Sequence, residues 1–135
     1  MSMESEFYNK VKNTAAVAAV ISGRMYPMVV PNSAEEPYIA FARVRTDELK
    51  THGGSGGLLV ARFRLTCWSL SYLTTIDLGD KVRTAVDNIG AGAWGGVTVQ
   101  RCFVVDESDE LEPSPELYAE RALGRNLDIE IAYVV

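Results

Sequence analysis

The sequence predicts an α+β fold: an antiparallel sheet of about four strands with two helices packed on one face, in the order α-β-β-α-β-β. Two segments repeat apolar residues at spacings of three and four, Glu4 to Ser22 and the stretch beyond Ser71. Two others alternate apolar and polar residues, Leu58 to Trp68 and Leu127 to Tyr133. Glycine and proline clusters separate these segments, and each half of the chain holds a hairpin-like pair.

The first helix is predicted over Glu4 to Ser22, with Phe7, Val11, Ala15, Ala18 and Ile21 on one stripe. Glu4 and Glu6 favour the positive end of its dipole, and Gly23 is a natural stop. Its alanine-rich centre suits packing on a sheet, with or without a neighbouring subunit on the other side. Arg24 to Pro37 holds Pro27, Pro31 and Pro37 and reads as an extended connector along the surface or a sheet edge. Tyr38 to Arg45 reads as a strand, with Ile39 and Phe41 on one face.

Next comes a loop over Asp47 to Gly57, containing His52-Gly53-Gly54-Ser55-Gly56-Gly57. Four glycines in six residues cost much entropy to order, so the segment suits a flexible hairpin connection or a loop that orders against a partner. No Gly-Lys-Ser/Thr ending follows, and a strand comes next, so it is not a phosphate-binding loop. The strand Leu58 to Trp68 turns Phe63, Leu65 and Cys67 one way and Arg62, Arg64, Thr66 and Trp68 the other. Ser71 is the expected N-cap of the second helix, whose stripe is Tyr72, Ile76, Gly79, Val82, Val86 and Ile89. Gly90-Ala91-Gly92 ends it. Trp94 suits either an exposed contact or packing over the sheet end. Val97 to Val105 reads as a strand, and Asp106 to Glu112 as an acidic loop prolonged by Pro113 and Pro115. The last strand is Tyr118 to Val135, bent or bulged near Gly124, with Leu127, Ile129, Ile131 and Tyr133 inward and Asp128 and Glu130 outward.

The chain of 135 residues reads as one domain over its whole length, with flexible loops at about 47–57 and 106–116. A net charge of −5, from 13 basic and 18 acidic residues, argues against a protein that grips phosphates through a basic face. It remains compatible with an acidic lining past which DNA slides. Cys67 and Cys102 are too few for a zinc site and read as small core residues in preference to a disulfide. Met1 to Lys12 lacks a basic leader, and the apolar run Ala15 to Ile21 falls far short of the ~20 residues of a membrane span, which points to a soluble protein made in a cytoplasm. No catalytic, metal or cofactor constellation stands out. The single histidine, His52, sits in the glycine loop without a partner nucleophile.

If its strands share one sheet, the second sheet face carries Arg62, Arg64, Trp68, Asp128 and Glu130. Mixed charge with an aromatic suits a solvated face or a polar protein–protein interface. A small ligand- or nucleic-acid-binding module is the alternative, with Arg62, Arg64 and Trp68 as a thin binding surface opposed by the nearby carboxylates.

The ordered set Gly23-Arg24-Met25-Tyr26-Pro27, Pro37-Tyr38-Ile39, His52-Gly53-Gly54, Ala61 to Trp68, Ser71-Tyr72, Val82-Arg83-Thr84-Ala85 and a terminal strand ending in Ile-Ala-Tyr resembles the bacteriophage tail completion or tail terminator family. The resemblance spans roughly Val17 to Val135, and the acidic stretch Asp106 to Pro115 is its weaker part. It implies a structural virion protein and no enzyme: a ring, commonly a hexamer, at the head-proximal end of the tail tube. Such a ring ends tube polymerisation and docks the head connector, and DNA passes its hole without specific binding. The implied partners are other copies of the chain, the tail tube protein and the head–tail connector protein, with assembly in a host bacterial cytoplasm. The candidate interface is then His52, Gly53, Gly54, Ser55, Gly56, Gly57, Arg62, Arg64, Trp68, Asp128 and Glu130. The candidate lumen lining is Asp106, Glu107, Asp109, Glu110 and Glu112.

Overall fold

A computed structural model describes residues 3–28, 37–51, 54–94, 97–111 and 123–134. The chain runs through α1 (Met3–Lys12), α2 (Ala15–Ile21), β1 (Met25–Pro27), β2 (Tyr38–Thr51), β3 (Gly54–Ser69), α3 (Tyr72–Ile89), β4 (Gly92–Trp94), β5 (Val97–Leu111) and β6 (Leu123–Val134). The strands form one mixed six-stranded sheet in the order β1-β2-β3-β6-β5-β4. Only the β1–β2 pair is parallel.

This corrects the predicted fold of about four antiparallel strands and two helices in the order α-β-β-α-β-β. The described order is α-α-β-β-β-α-β-β-β, with three helices and six strands. The single first helix breaks because Thr14 turns extended and its hydroxyl donates to the Lys10 carbonyl at 2.8 Å, sealing the end of α1. Part of the proline-rich connector becomes β1: Met25 pairs with Ile39, and the missing amide of Pro27 is harmless on an edge strand. Gly92–Trp94 adds a further strand against β5.

Two predicted loops also become strand. The β2–β3 hairpin continues to the pair Thr51–Gly54, and β5 runs through the acidic stretch to Leu111, opposite Leu123. Composition misled at both places because a neighbouring strand satisfies the backbone whatever the side chains prefer. The predicted irregularity near Gly124 is absent: β6 pairs with β3 without a register shift from Leu58–Val134 to Ser69–Leu123. The register shifts lie instead on β2, between Arg43 and Arg45 and between Leu49 and Lys50, and on β5, between Val99 and Arg101 and between Val104 and Asp106.

The core lies between the helices and one sheet face. Phe7 of α1 packs against Phe41, Phe63 and Trp94, with ring centroids 5.5 to 6.0 Å apart. Ile39, Leu65, Cys67, Leu127, Ile129 and Ile131 continue that face beneath Val82 and Leu78 of α3. Trp94 is thus a core residue. The stripe of α3 is rotated from the predicted one: Thr75, Leu78, Gly79, Val82, Ala85 and Val86 are buried, while Tyr72 is exposed. Gly79 is needed there, because a Cβ would lie 2.8 Å from the Arg125 side chain. Ser71 caps α3, accepting from the Thr74 amide.

Candidate functional site

The helix-free face of the sheet gathers seven of the residues singled out in the sequence: Arg62, Arg64, Trp68, Asp106, Glu110, Asp128 and Glu130. Strand alternation places Arg62, Arg64 and Trp68 of β3 beside Glu130, Asp128 and Gly124 of β6, each pair in register. On the far side of β6, Asp106, Ser108 and Glu110 of β5 pair with Asp128, Asn126 and Gly124. Two residue sets separated in the sequence, the mixed face and part of the acidic stretch, therefore share one surface.

That surface is a hydrogen-bonded network. Arg64 donates to both carboxylate oxygens of Asp128, at 2.8 and 3.1 Å. Thr66 donates to the Asn126 side-chain oxygen at 2.7 Å, and Asn126 donates on to Ser108 at 3.5 Å. Arg101 lies 3.6 Å from Glu130. Thr66, Asn126 and Asp128 are only 6, 8 and 6% exposed, although no described helix covers them. Burial of this degree demands partners, and the network supplies them. The bond to Asp128, strengthened by its charge, raises the Arg64 pKa above the ordinary guanidinium value. The Nε of Arg62 is buried without a hydrogen-bond partner among the described residues. Trp68 lies flat over Gly124, where a Cβ would meet its ring at 2.8 Å.

The acidic stretch is divided by its own pleat. Glu107 and Asp109 point to the helix side: Glu107 lies 3.3 Å from Arg83, and Asp109 accepts from Arg125 at 2.8 Å and from the Tyr72 hydroxyl at 2.9 Å. The Arg125 guanidinium holds the Asp109 carboxyl below its usual range, and Asp109 in turn raises Arg125. These two carboxylates clamp β5 to α3 and β6. Asp106 and Glu110 face the other way.

Gly54, Ser55, Gly56 and Gly57 belong to the start of β3, at the hairpin end. His52, Gly53 and Glu112 lie outside the described residues. Among the described residues no group of three His, Cys, Asp or Glu is placed to hold a metal ion. A groove of about 340 Å³ lies between α1 and the β2 edge, lined by Tyr8, Met28, Phe41 and Arg43 among others. Both cysteines are free and buried, and burial pushes each thiol up to about 12. Neither is a nucleophile at neutral pH.

Sequence reasoning placed Thr66 on this face and missed Asn126, Ser108 and Arg101 as members of it. Asn126 was available from the alternation Gly124, Asn126, Asp128, Glu130. Ser108 and Arg101 required knowing that β5 continues through the acidic run and is bulged twice, between Val99 and Arg101 and between Val104 and Asp106.

Comparison with known proteins gives this arrangement a family and a fold. Residues 6–120 match the family model described as tail completion protein gp17. The fold is similar to that of a chain from the virion of a native gene transfer agent (GTA) particle. The TM-score is 0.71 at 11% sequence identity, over 98% of this chain and 95% of that one. No protein of curated function matches the sequence.

Proposed function

This chain belongs to the tail completion protein gp17 family and is a structural protein of the virion tail, and from that premise we propose that its copies close into a ring, commonly a hexamer, at the head-proximal end of the tail tube. The ring ends tube polymerisation and presents the surface on which the head–tail connector docks. It works through contacts and carries out no reaction. The observation that carries the reading is the family match across residues 6–120.

The surfaces support it. Closure of identical copies around an axis needs two different patches on each copy, one for each neighbour. The helix-free face supplies mixed charge held in fixed positions. One end of the sheet supplies a second patch, where Leu70, Tyr72 and Leu73 are exposed at the start of α3 beside Asp109. Exposed apolar residues grouped with charge at their rim suit a protein partner, the tube protein or the connector. Among the described residues of the acidic stretch, Asp106 and Glu110 are the carboxylates left to line a channel, because Glu107 and Asp109 are committed to Arg83 and Arg125. Carboxylates there let DNA phosphates pass without binding.

Electron microscopy of the purified protein mixed with its tail tube protein tests the reading. The expected result is tubes capped at one end by a ring. Particles lacking this protein that still carry tails of normal length joined to full capsids would overturn it.

A further inference from the structure

The two outer long strands of the sheet are each covered for only a few residues. Among the described residues β1 pairs with β2 only from Ile39 to Phe41, and β4 pairs with β5 only from Val97 to Val99. Beyond those points the outer edges of β2, residues 42–51, and of β5, residues 100–111, have no strand partner among the described residues. Open rows of amides and carbonyls are templates for pairing with another chain.

The edges also match each other. Going β2, β3, β6, β5, every neighbour is antiparallel, so β2 and β5 run in opposite directions. A second copy set alongside with its helices on the same side therefore offers its β2 antiparallel to the first copy's β5. Across the sheet one row reads Asp47–Val60–Ala132–Arg101, the next of the same face Arg45–Arg62–Glu130–Phe103, and the next Ala42–Arg64–Asp128–Asp106. When the rows continue into the neighbour, Asp47 meets Arg101, and Arg45 meets Phe103 with Asp106 on the diagonal. Opposite charges directly across or diagonal between strands are the favourable arrangement. Val44, the bulged residue between Arg43 and Arg45, and Phe103 are apolar residues on the two open edges, 48 and 37% exposed. In one copy Arg45 and Asp47 contact only loosely, at 3.5 Å with both side chains 61% exposed, and are free to exchange partners.

We propose that the open edge of β2 in one copy pairs antiparallel with the open edge of β5 in the next, in the register that sets Asp47 against Arg101. The sheet then continues from copy to copy, and every helix-free face turns to the same side. This rests on the ring reading above and specifies how the ring is joined.

A charge exchange tests it, with rings counted by native mass spectrometry in solution and by microscopy on tail tubes. Asp47→Arg and Arg101→Asp should each raise the concentration for half-assembly about fivefold or more. Asp47→Arg lies on an exposed edge and should leave thermal melting of the chain itself unchanged, whereas Arg101→Asp also loses its contact with Glu130 and should lower melting slightly, a loss the exchange does not restore. The double variant should return to within about twofold of the unaltered protein. Separately, Arg45→Cys copies mixed with Phe103→Cys copies should form disulfide-linked dimers that neither variant forms alone. Rings that tolerate both single charge reversals, that are not rescued by the exchange, or that give no linked dimer overturn the edge pairing and leave the ring standing. An unaltered protein that makes no ring in solution or on tubes overturns the ring reading, and the edge pairing with it.

Discussion

The two faces of the sheet come from the same strands by the same alternation, yet they are held in opposite ways. The helix-covered face is apolar and aromatic, with Phe7 packed on Phe41, Phe63 and Trp94, and Phe41 stacked on Phe63. The helix-free face is polar, and its central residues are nearly as buried. Apolar packing is non-directional and supplies stability wherever volume is filled. A hydrogen-bonded face supplies less net energy but depends on register, because a slip of one residue would part Arg64 from Asp128 and Thr66 from Asn126. One face holds the domain together. The other fixes where each charge stands, which is what a surface meeting other proteins requires.

The largest expected effect is on the covered face. Phe63 lies 5.5 Å from Phe7 and 5.2 Å from Phe41 between ring centroids, so Phe63→Ala should cost about 3–5 kcal/mol in urea unfolding. A loss below about 1 kcal/mol would break the contrast between the faces.

The same face holds both thiols. Unfolded thiols lose their protons near pH ~8.5, whereas Cys67 and Cys102 titrate only at about 12 in the fold. Between those values the folded chain binds more protons, so stability falls as pH rises, by roughly 1.4 kcal/mol per thiol per pH unit. Unfolding curves at about pH 8, just below that window, and at about pH 9.5 and about pH 10.5, within it, should show a decline that Cys67→Ala reduces.

On the open face, Asp128→Ala removes both acceptors of Arg64 and should cost about 1–3 kcal/mol, with Asp128→Asn milder. An Asp128→Ala variant as stable as the parent would show that the network is ornament for the fold.

The smallest effects distinguish the two sides of β5. Asp109→Asn, which loosens a half-exposed pair with Arg125, should cost under about 1 kcal/mol. That contribution is present above the ordinary carboxylate pKa and fades as pH falls through the depressed value of Asp109. Asp106→Asn with Glu110→Gln should leave melting unchanged and impair DNA passage or retention in particles. Fully infectious particles from the second variant would remove the acidic channel.

The strands at the middle of the sheet were legible because each residue's neighbours in sequence state its face: Phe63, Leu65 and Cys67 inward, Arg62 and Arg64 outward. The helix break at Thr14 was not, because a threonine hydroxyl turning back on the Lys10 carbonyl is one of several local options for that side chain. The strand character of Asp106 to Leu111 was hidden for a different reason. Its four carboxylates look like a solvated loop until β6 supplies the backbone partners and Arg83 and Arg125 the charge partners of Glu107 and Asp109, both distant in sequence. The candidate face was half legible: its β3 and β6 residues follow from alternation, its β5 residues only from the register.

The chain's two tryptophans stand on opposite sides of the sheet. Trp94 is buried, stacked on Phe7 with the rings 2° from parallel, and Trp68 lies half-buried over Gly124 on the open side. Their fluorescence therefore reports separate events. With Trp68→Phe, the remaining emission follows melting of the interior, and with Trp94→Phe it shifts to the blue when a neighbour excludes water from the other side. The molecule carries its own pair of lamps for telling assembly from folding.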